Sequence, residues 1–440
     1  MSSTPMSKVA ALLTVSVLLA SCGRVPSTEL PHTDHAFTTV VDVPADASQA
    51  DVERRTGGQV VVWRPDSGFA VVGLSRRPAG SLGALGVSSG DEVEDNNGAL
   101  TAGGSTSAWN PNGVDGAGRA RIWSGGRARI WSGGRARIWS GGNGTVGGLV
   151  ENQAAWQQIG LSQAWNLAPT LGEGVKVAVI DTGLDLQHQI FEGALAPASE
   201  TWDFVDNDAD PQETGDFNDG AYGHGTNVAG IVLQLAPRAT IMPLRVLNPD
   251  GSGSITDVAQ AINWAVDHGA QVINLSLGSV KKTGVIKHMI EYASGRGVIV
   301  VASSGNTGDH QITYPARYSQ EKGSLGELLL SVGSVNHADQ KSDFSTYGKE
   351  LELVAPGEEV YGPVPGNLMS YWSGTSMAAP MVSGALALGL AQDASGKAAL
   401  RVQSLQQNAV NIDALNSKDY AKQLGRRLDV GAFIKAAVQK

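Results

Sequence analysis

The sequence predicts an α/β fold organised around a mainly parallel sheet, and three observations carry that reading. Apolar, β-branched runs recur at residues 176–180, 240–246, 272–277, 298–302 and 328–335. They are apolar throughout rather than alternating, the pattern of strands covered on both faces. Helical patterns at residues 255–267 and 285–294 stand between them, as in a chain of βαβ units. Asp181 follows directly on VKVAVI, and the carboxyl ends of strands are where such sheets collect functional groups.

The 440 residues exceed one average domain, and 42% apolar residues suffice for a large core. A formal charge of −10 argues against a nucleic-acid partner, which would need a basic balance. Shifts in composition divide the chain. Residues 1–21 read as an export signal: Lys8 precedes VAALLTVSVLLA, too short to span a bilayer but the length of a signal h-region. Leu19-Ala20-Ser21-Cys22 resembles a bacterial lipobox. The single cysteine, Cys22, is therefore the expected lipidation site, tying the precursor to a membrane, and it has no disulfide partner.

Residues 23–79 hold a polar tether and a small α+β module, with a strand at FTTVVDV, a short helix, and a hairpin turning at Pro65-Asp66-Ser67-Gly68. Its position suggests a pro-segment acting as an intramolecular inhibitor. Residues 80–148 are a Gly/Ser/Arg-rich linker carrying GRARIWSG at 118–125, 126–133 and 134–141. Eight-residue units are too short to stack into a solenoid. The alternating domain occupies residues 149–440.

Three segments carry the chemistry: VAVIDTG with Asp181, HGTNVAG with His224, and GTSMAAP with Ser376. A serine hydroxyl becomes a nucleophile when an imidazole takes its proton and a carboxylate fixes that imidazole's tautomer and charge. The order Asp, His, Ser is not that of α/β-hydrolase esterases, and their GxSxG elbow is absent around Ser376. His224 and Ser376 each open a helical pattern, so the hydroxyl is expected at a helix N-terminus, where developing negative charge is favoured. Pro380 is expected in the first turn of that helix, where its missing N–H costs little. VVASSGNTG sets Asn306 on a turn after a strand, its amide available to an oxyanion beside the Ser376 N–H. Singly, these residues read as a turn former, a packed histidine or a helix cap. Together they have no shared structural explanation.

On DTG, HGT, SSGN, GTSMAAP and the closing GRRLDVGAFIKAAV, residues 150–440 resemble the catalytic domain of the subtilisin (subtilase) family of serine endopeptidases. The resemblance implies a three-layer fold with a mainly parallel, seven-stranded sheet and helices on both faces. It implies Asp181, His224 and Ser376 as the triad, Asn306 in the oxyanion hole, and no catalytic metal. A protein or peptide substrate would be gripped as an added strand between Gly251-Ser252-Gly253 and Ser276-Leu277-Gly278. Ser304 and Gly305 would line the pocket before the cleaved bond.

Departures from the family pattern also inform. Asn227 and Met381 stand where the family has histidines, outside the triad, so altered packing is expected rather than lost activity. Thr313 in ITYPARY stands where a glycine floors the primary pocket, implying a shortened pocket for small or medium apolar side chains. The same stretch suggests a cis bond at Tyr314–Pro315. WDFVDNDADPQ sets Asp203, Asp206, Asp208, Asp210 and Gln212 in one loop, whose carboxylates repel unless a cation or solvent neutralises them. It resembles a calcium loop of thermostable family members, so structural calcium is expected there. Ile190 replaces the aspartate of the family's tightest calcium site and argues against that one. A non-enzymatic scaffold would need a broken catalytic position, and none is found. A cut between Arg137 and Asn152 would free the protease from its lipid; an uncut chain would stay tethered.

Overall fold

The computed structural model describes residues 35–78, 86, 93–96, 100–102, 149–392 and 397–439. Cys22, the export signal and the GRARIWSG repeats lie outside the described residues.

The N-terminal module is an antiparallel sheet of β1 (Phe37–Asp42), β2 (Gln59–Arg64), β3 (Phe69–Leu74) and β4 (Glu94–Asp95), in the order β2-β3-β1-β4. Helix α1 (Gln49–Thr56) starts in a capping box of Ser48 and Asp51 and ends at Gly57, whose φ of 67° suits glycine. Strand alternation gives the sheet two apolar faces. Val41, Val60 and Val72 form a small core with Val52 of α1, while Val40, Val62, Phe69 and Val71 point the other way. A three-residue strand, β5 (Leu100–Ala102), follows.

The larger domain opens with α2 (Gln153–Gln158) and α3 (Leu161–Leu167). Its sheet strands are β6 (Lys176–Asp181), β7 (Trp202–Asp203), β8 (Thr240–Arg245), β10 (Val272–Leu275), β12 (Ile299–Ser303), β13 (Leu329–Val335), β14 (Leu353–Pro356) and β17 (Arg426–Arg427). They lie in the order β17-β14-β13-β12-β10-β6-β8-β7, every neighbouring pair parallel. The sheet thus has eight strands where seven were expected: six longer strands and a two-residue strand on each edge. Outside it lie β9 (Ser252–Gly253), β11 (Leu277–Gly278) and the hairpin of β15 (Val360–Val364) with β16 (Leu368–Trp372).

Helices cover both faces. α4 (His224–Leu235), α8 (Thr375–Leu390), α9 (Ala398–Gln407) and α10 (Val430–Val438) join α2 and α3 on one side, packing on Val177, Val179 and Val301. On the other, α5 (Ile255–Asp267) and α6 (Gly284–Gly295) cover Ala178, Ile180 and Val300, with α7 (Ser324–Leu328) beside α6. Among the described residues no helix is long and apolar enough to cross a membrane.

The module docks on α5 and α6. Phe69 meets His288 and Tyr292 edge-on, at centroid distances of 4.4 and 5.7 Å. Ion pairs cross the junction in both directions, Arg64 to Asp267 and Arg296 to Asp66, and both guanidiniums lie over the Tyr292 ring. In β4 and just after it the chain caps both helices. Glu94 Oε1 accepts from the Val285 N–H (3.0 Å), and Asn96 Oδ1 from the Thr256 N–H (2.9 Å), satisfying donors that helix starts leave open. Strand β5 then runs between β9 and β11, antiparallel to both: Leu100 opposes Gly253, Thr101 opposes Ser252 and Gly278, and Ala102 opposes Leu277.

Candidate active site

Asp181 ends β6 and is buried at 1% exposure. Its Oδ1 accepts from His224 Nδ1 (2.7 Å) and from the Thr182 N–H (2.8 Å). Two glycines let α4 bring His224 this close. Gly223 precedes the helix at φ 93°, and a Cβ on Gly225 would lie 2.1 Å from the Gly183 carbonyl oxygen. Burial by itself would push the His224 imidazole down. The Asp181 charge and hydrogen bond, helped by Glu213, outweigh it and hold His224 above its usual value. His224 Nε2 has no hydrogen-bond partner among the described residues. The edge of its ring meets Trp372, centroids 5.7 Å apart.

Ser376 is the second residue of α8, among the open N–H groups of the helix start. Its hydroxyl donates to the Ser276 carbonyl (3.2 Å) rather than to the imidazole. Pro380 is the sixth helical residue, not part of the first turn as expected, so its missing N–H leaves the Ser376 carbonyl without its intrahelical donor. The Ser276 hydroxyl supplies the bond instead (2.9 Å). Asn306 Oδ1 accepts from the Thr375 N–H (2.9 Å) and hydroxyl (3.0 Å), which turns its amide nitrogen away from those groups.

Glu213 was not singled out by the sequence, being hidden at the end of the acidic loop. Its Oε1 accepts from the Thr182 hydroxyl (2.5 Å) and the Gly223 N–H (2.7 Å), and its Oε2 from the Thr226 N–H (3.3 Å) and hydroxyl. Burial pushes its carboxyl up to about 7 against those donors, and the Asp181 charge adds to the rise. The threonines of DTG and HGT were the available signal, since buried hydroxyls need acceptors.

The expected substrate seats Gly251, Ser252, Gly253, Ser276, Leu277 and Gly278 lie along β9 and β11 and flank β5. Thr313 is buried between the two walls of the expected pocket. Its N–H (3.0 Å) and hydroxyl (3.2 Å) both donate to the Ser304 carbonyl. A Cβ on Gly278 would lie 2.6 Å from its Oγ1, and one on Gly305 2.8 Å from its Cγ2. The Tyr314–Pro315 bond is cis. Asn227 is buried in α4 and donates to the Pro363 carbonyl (3.3 Å), tying the helix to the β15–β16 hairpin; Met381 and Ile190 are core residues.

The acidic loop, where calcium was expected, meets a counter-charge from a neighbouring strand. Asp203 Oδ2 and Asp206 Oδ2 both converge on Arg245 Nη1 at 2.5 Å, and Asp203 Oδ1 accepts from the N–H groups of Val205 and Asp206. Asp208 Oδ1 is taken by the Asp210 N–H and Gln212 Oε1 by the Leu186 N–H. Arg245 offsets part of the charge that suggested calcium, pairing with Asp203 and Asp206; among the described residues no group of three or more His, Cys, Asp or Glu is arranged to hold a metal ion.

The model of the subtilase family matches residues 172–424, more than half the chain. The chain belongs to the subtilase family. This subtilase is 37% identical over 265 residues to thermitase from Thermoactinomyces vulgaris, a match covering 58% of the chain and 87% of thermitase. It is 38% identical over 227 residues to subtilisin Savinase from Lederbergia lenta, covering 49% and 76% respectively. A solved structure of a cold adapted subtilisin-like serine proteinase aligns at TM-score 0.48 and 31% identity, covering 55% of the chain and 84% of its own. The subtilase is a serine endopeptidase.

Proposed function

We propose that this subtilase is exported as a lipid-anchored, self-inhibited precursor and cleaves proteins through Ser376, His224 and Asp181. The observation that carries the reading is the buried 2.7 Å bond from His224 Nδ1 to Asp181, which leaves Nε2 without a partner. On rotation from Ser276, the Ser376 hydroxyl gives its proton to Nε2 while Oγ attacks the substrate carbonyl; Asp181 stabilises the imidazolium. The Asn306 amide and the Ser376 N–H receive the oxyanion. His224 then protonates the leaving amine, and water hydrolyses the acyl-enzyme by the reverse path. Labelling with a serine-reactive phosphonate tests this. The intact enzyme should label, and Ser376→Ala should neither label nor cleave; equal labelling of both would overturn the assignment.

The pro-segment reading is supported by β5, which occupies the added-strand position expected of substrate. Its partner strand β11 follows directly on Ser276, whose carbonyl holds the Ser376 hydroxyl. Self-cleavage is therefore expected close to β5, upstream of the repeats, rather than between Arg137 and Asn152. The lipid on Cys22 would remain with the severed module, and the protease would leave the membrane. Sequencing the mature N-terminus checks this, and a start beyond Arg137 would refute it.

The filled space around Thr313 supports a preference for small or medium apolar side chains before the cleaved bond. Thr313→Gly should raise kcat/KM for Phe and Tyr substrates at least tenfold in a peptide-library profile. Nucleic acid has no place in this reading.

A further inference from the structure

We propose that Glu213 is a positioning residue for hydrolysis: its carboxylate clamps the strand end bearing Asp181 to the helix start bearing His224. The inference rests on the assignment of those two residues to the proton relay. Asp181 and His224 lie on separate elements, and their side chains meet in one hydrogen bond at 2.7 Å. Glu213 spans the same junction from beneath. One of its oxygens binds Thr182, next to Asp181, and Gly223, next to His224. The other binds Thr226 twice, two residues into α4.

Each hydroxyl in this clamp is itself fixed from the far side. Thr182 Oγ1 accepts from the Gly225 N–H (2.9 Å), and Thr226 Oγ1 accepts from the Asp185 N–H (2.8 Å). Each threonine therefore has its single proton to give to Glu213, and the two backbone groups can only donate. All four partners arrive as donors, so the site demands a group that only accepts; the ionised carboxylate, opposed by burial and favoured by those donors, is that group above its raised titration point. Glutamine has the same shape but would turn an NH2 against two of them. At 4% exposure no solvent can stand in.

Glu213 touches neither β9 nor β11, so losing it should affect turnover and leave substrate binding alone. In the full-length chain, matured and with active sites counted by phosphonate labelling, Glu213→Gln should lower kcat on the order of 10- to 100-fold, the effect of a misplaced relay. KM should stay within about twofold, since the strand seats are untouched. The low-field proton resonance of His224 Nδ1–H should shift or broaden. Val232→Ala, a cavity in the buried part of α4, serves as the control for simple destabilisation. It should lower the melting temperature without moving kcat or the resonance. If Glu213→Gln behaves like Val232→Ala, Glu213 only holds the fold and the proposal fails. Should Glu213→Gln not fold, Thr226→Val removes the hydroxyl donor from the helix side of the clamp; unchanged kcat in that variant would equally overturn it. Absent labelling of the intact enzyme at Ser376 would instead defeat the relay assignment itself.

Discussion

Ser376 is held by an exchange of hydrogen bonds with Ser276, each hydroxyl donating to the other residue's carbonyl. The exchange exists because Pro380 cannot donate back along the helix. Ser276→Ala should therefore leave a buried carbonyl unpaired, destabilising by about 1–3 kcal/mol in urea unfolding. Asn306→Ala should lower kcat by about 10²–10³ with little change in KM. The elevated His224 imidazole stays protonated to higher pH, and only its neutral form can accept the Ser376 proton. The acid limb of kcat/KM should thus lie above the ordinary value of 6.5, and Asp181→Asn should move it down while cutting kcat about 10⁴-fold. The proximity of Asp181, His224, Ser376 and Asn306 to strand ends and helix starts was legible because short motifs encode local backbone. Glu213 was not legible: its four donors come from two separated stretches, at Thr182 and at Gly223 to Thr226, and nothing in its own neighbourhood distinguishes it from a solvated acid.

Among elements, the acidic loop shows a charge problem that is partly answered from outside the loop. Five oxygen-bearing side chains between Asp203 and Gln212 pointed to a metal, but Arg245 arrives from the adjacent strand β8, 33 residues beyond Gln212 in the chain. Removing it as Arg245→Met should destabilise by about 3–5 kcal/mol, because Asp203 would be left buried without a counter-charge. Structural calcium in this loop predicts that chelator lowers the melting temperature of the unsubstituted protein; no shift would count against it. The long strands were readable from continuous apolar runs. The two-residue edge strands β7 and β17 were not, since register rather than composition makes them strands.

At the scale of the molecule, the module is joined to the protease domain by an apolar face, crossed ion pairs and two helix caps. In the Ser376→Ala precursor, replacing Arg64 and Arg296 by alanine should speed proteolytic loss of the module. High salt should act in the same direction on the unsubstituted pairs, as screening weakens half-exposed charges. Strands β9 and β11 face each other across the width of one strand, and each is only two residues long. Once β5 is gone, that slot can accept a single extended chain from either side. Edges so short present too few free N–H and C=O groups to template stacking between molecules. The dimension that makes the cleft receptive to unfolded polypeptide also protects the protein from aggregating with its own kind.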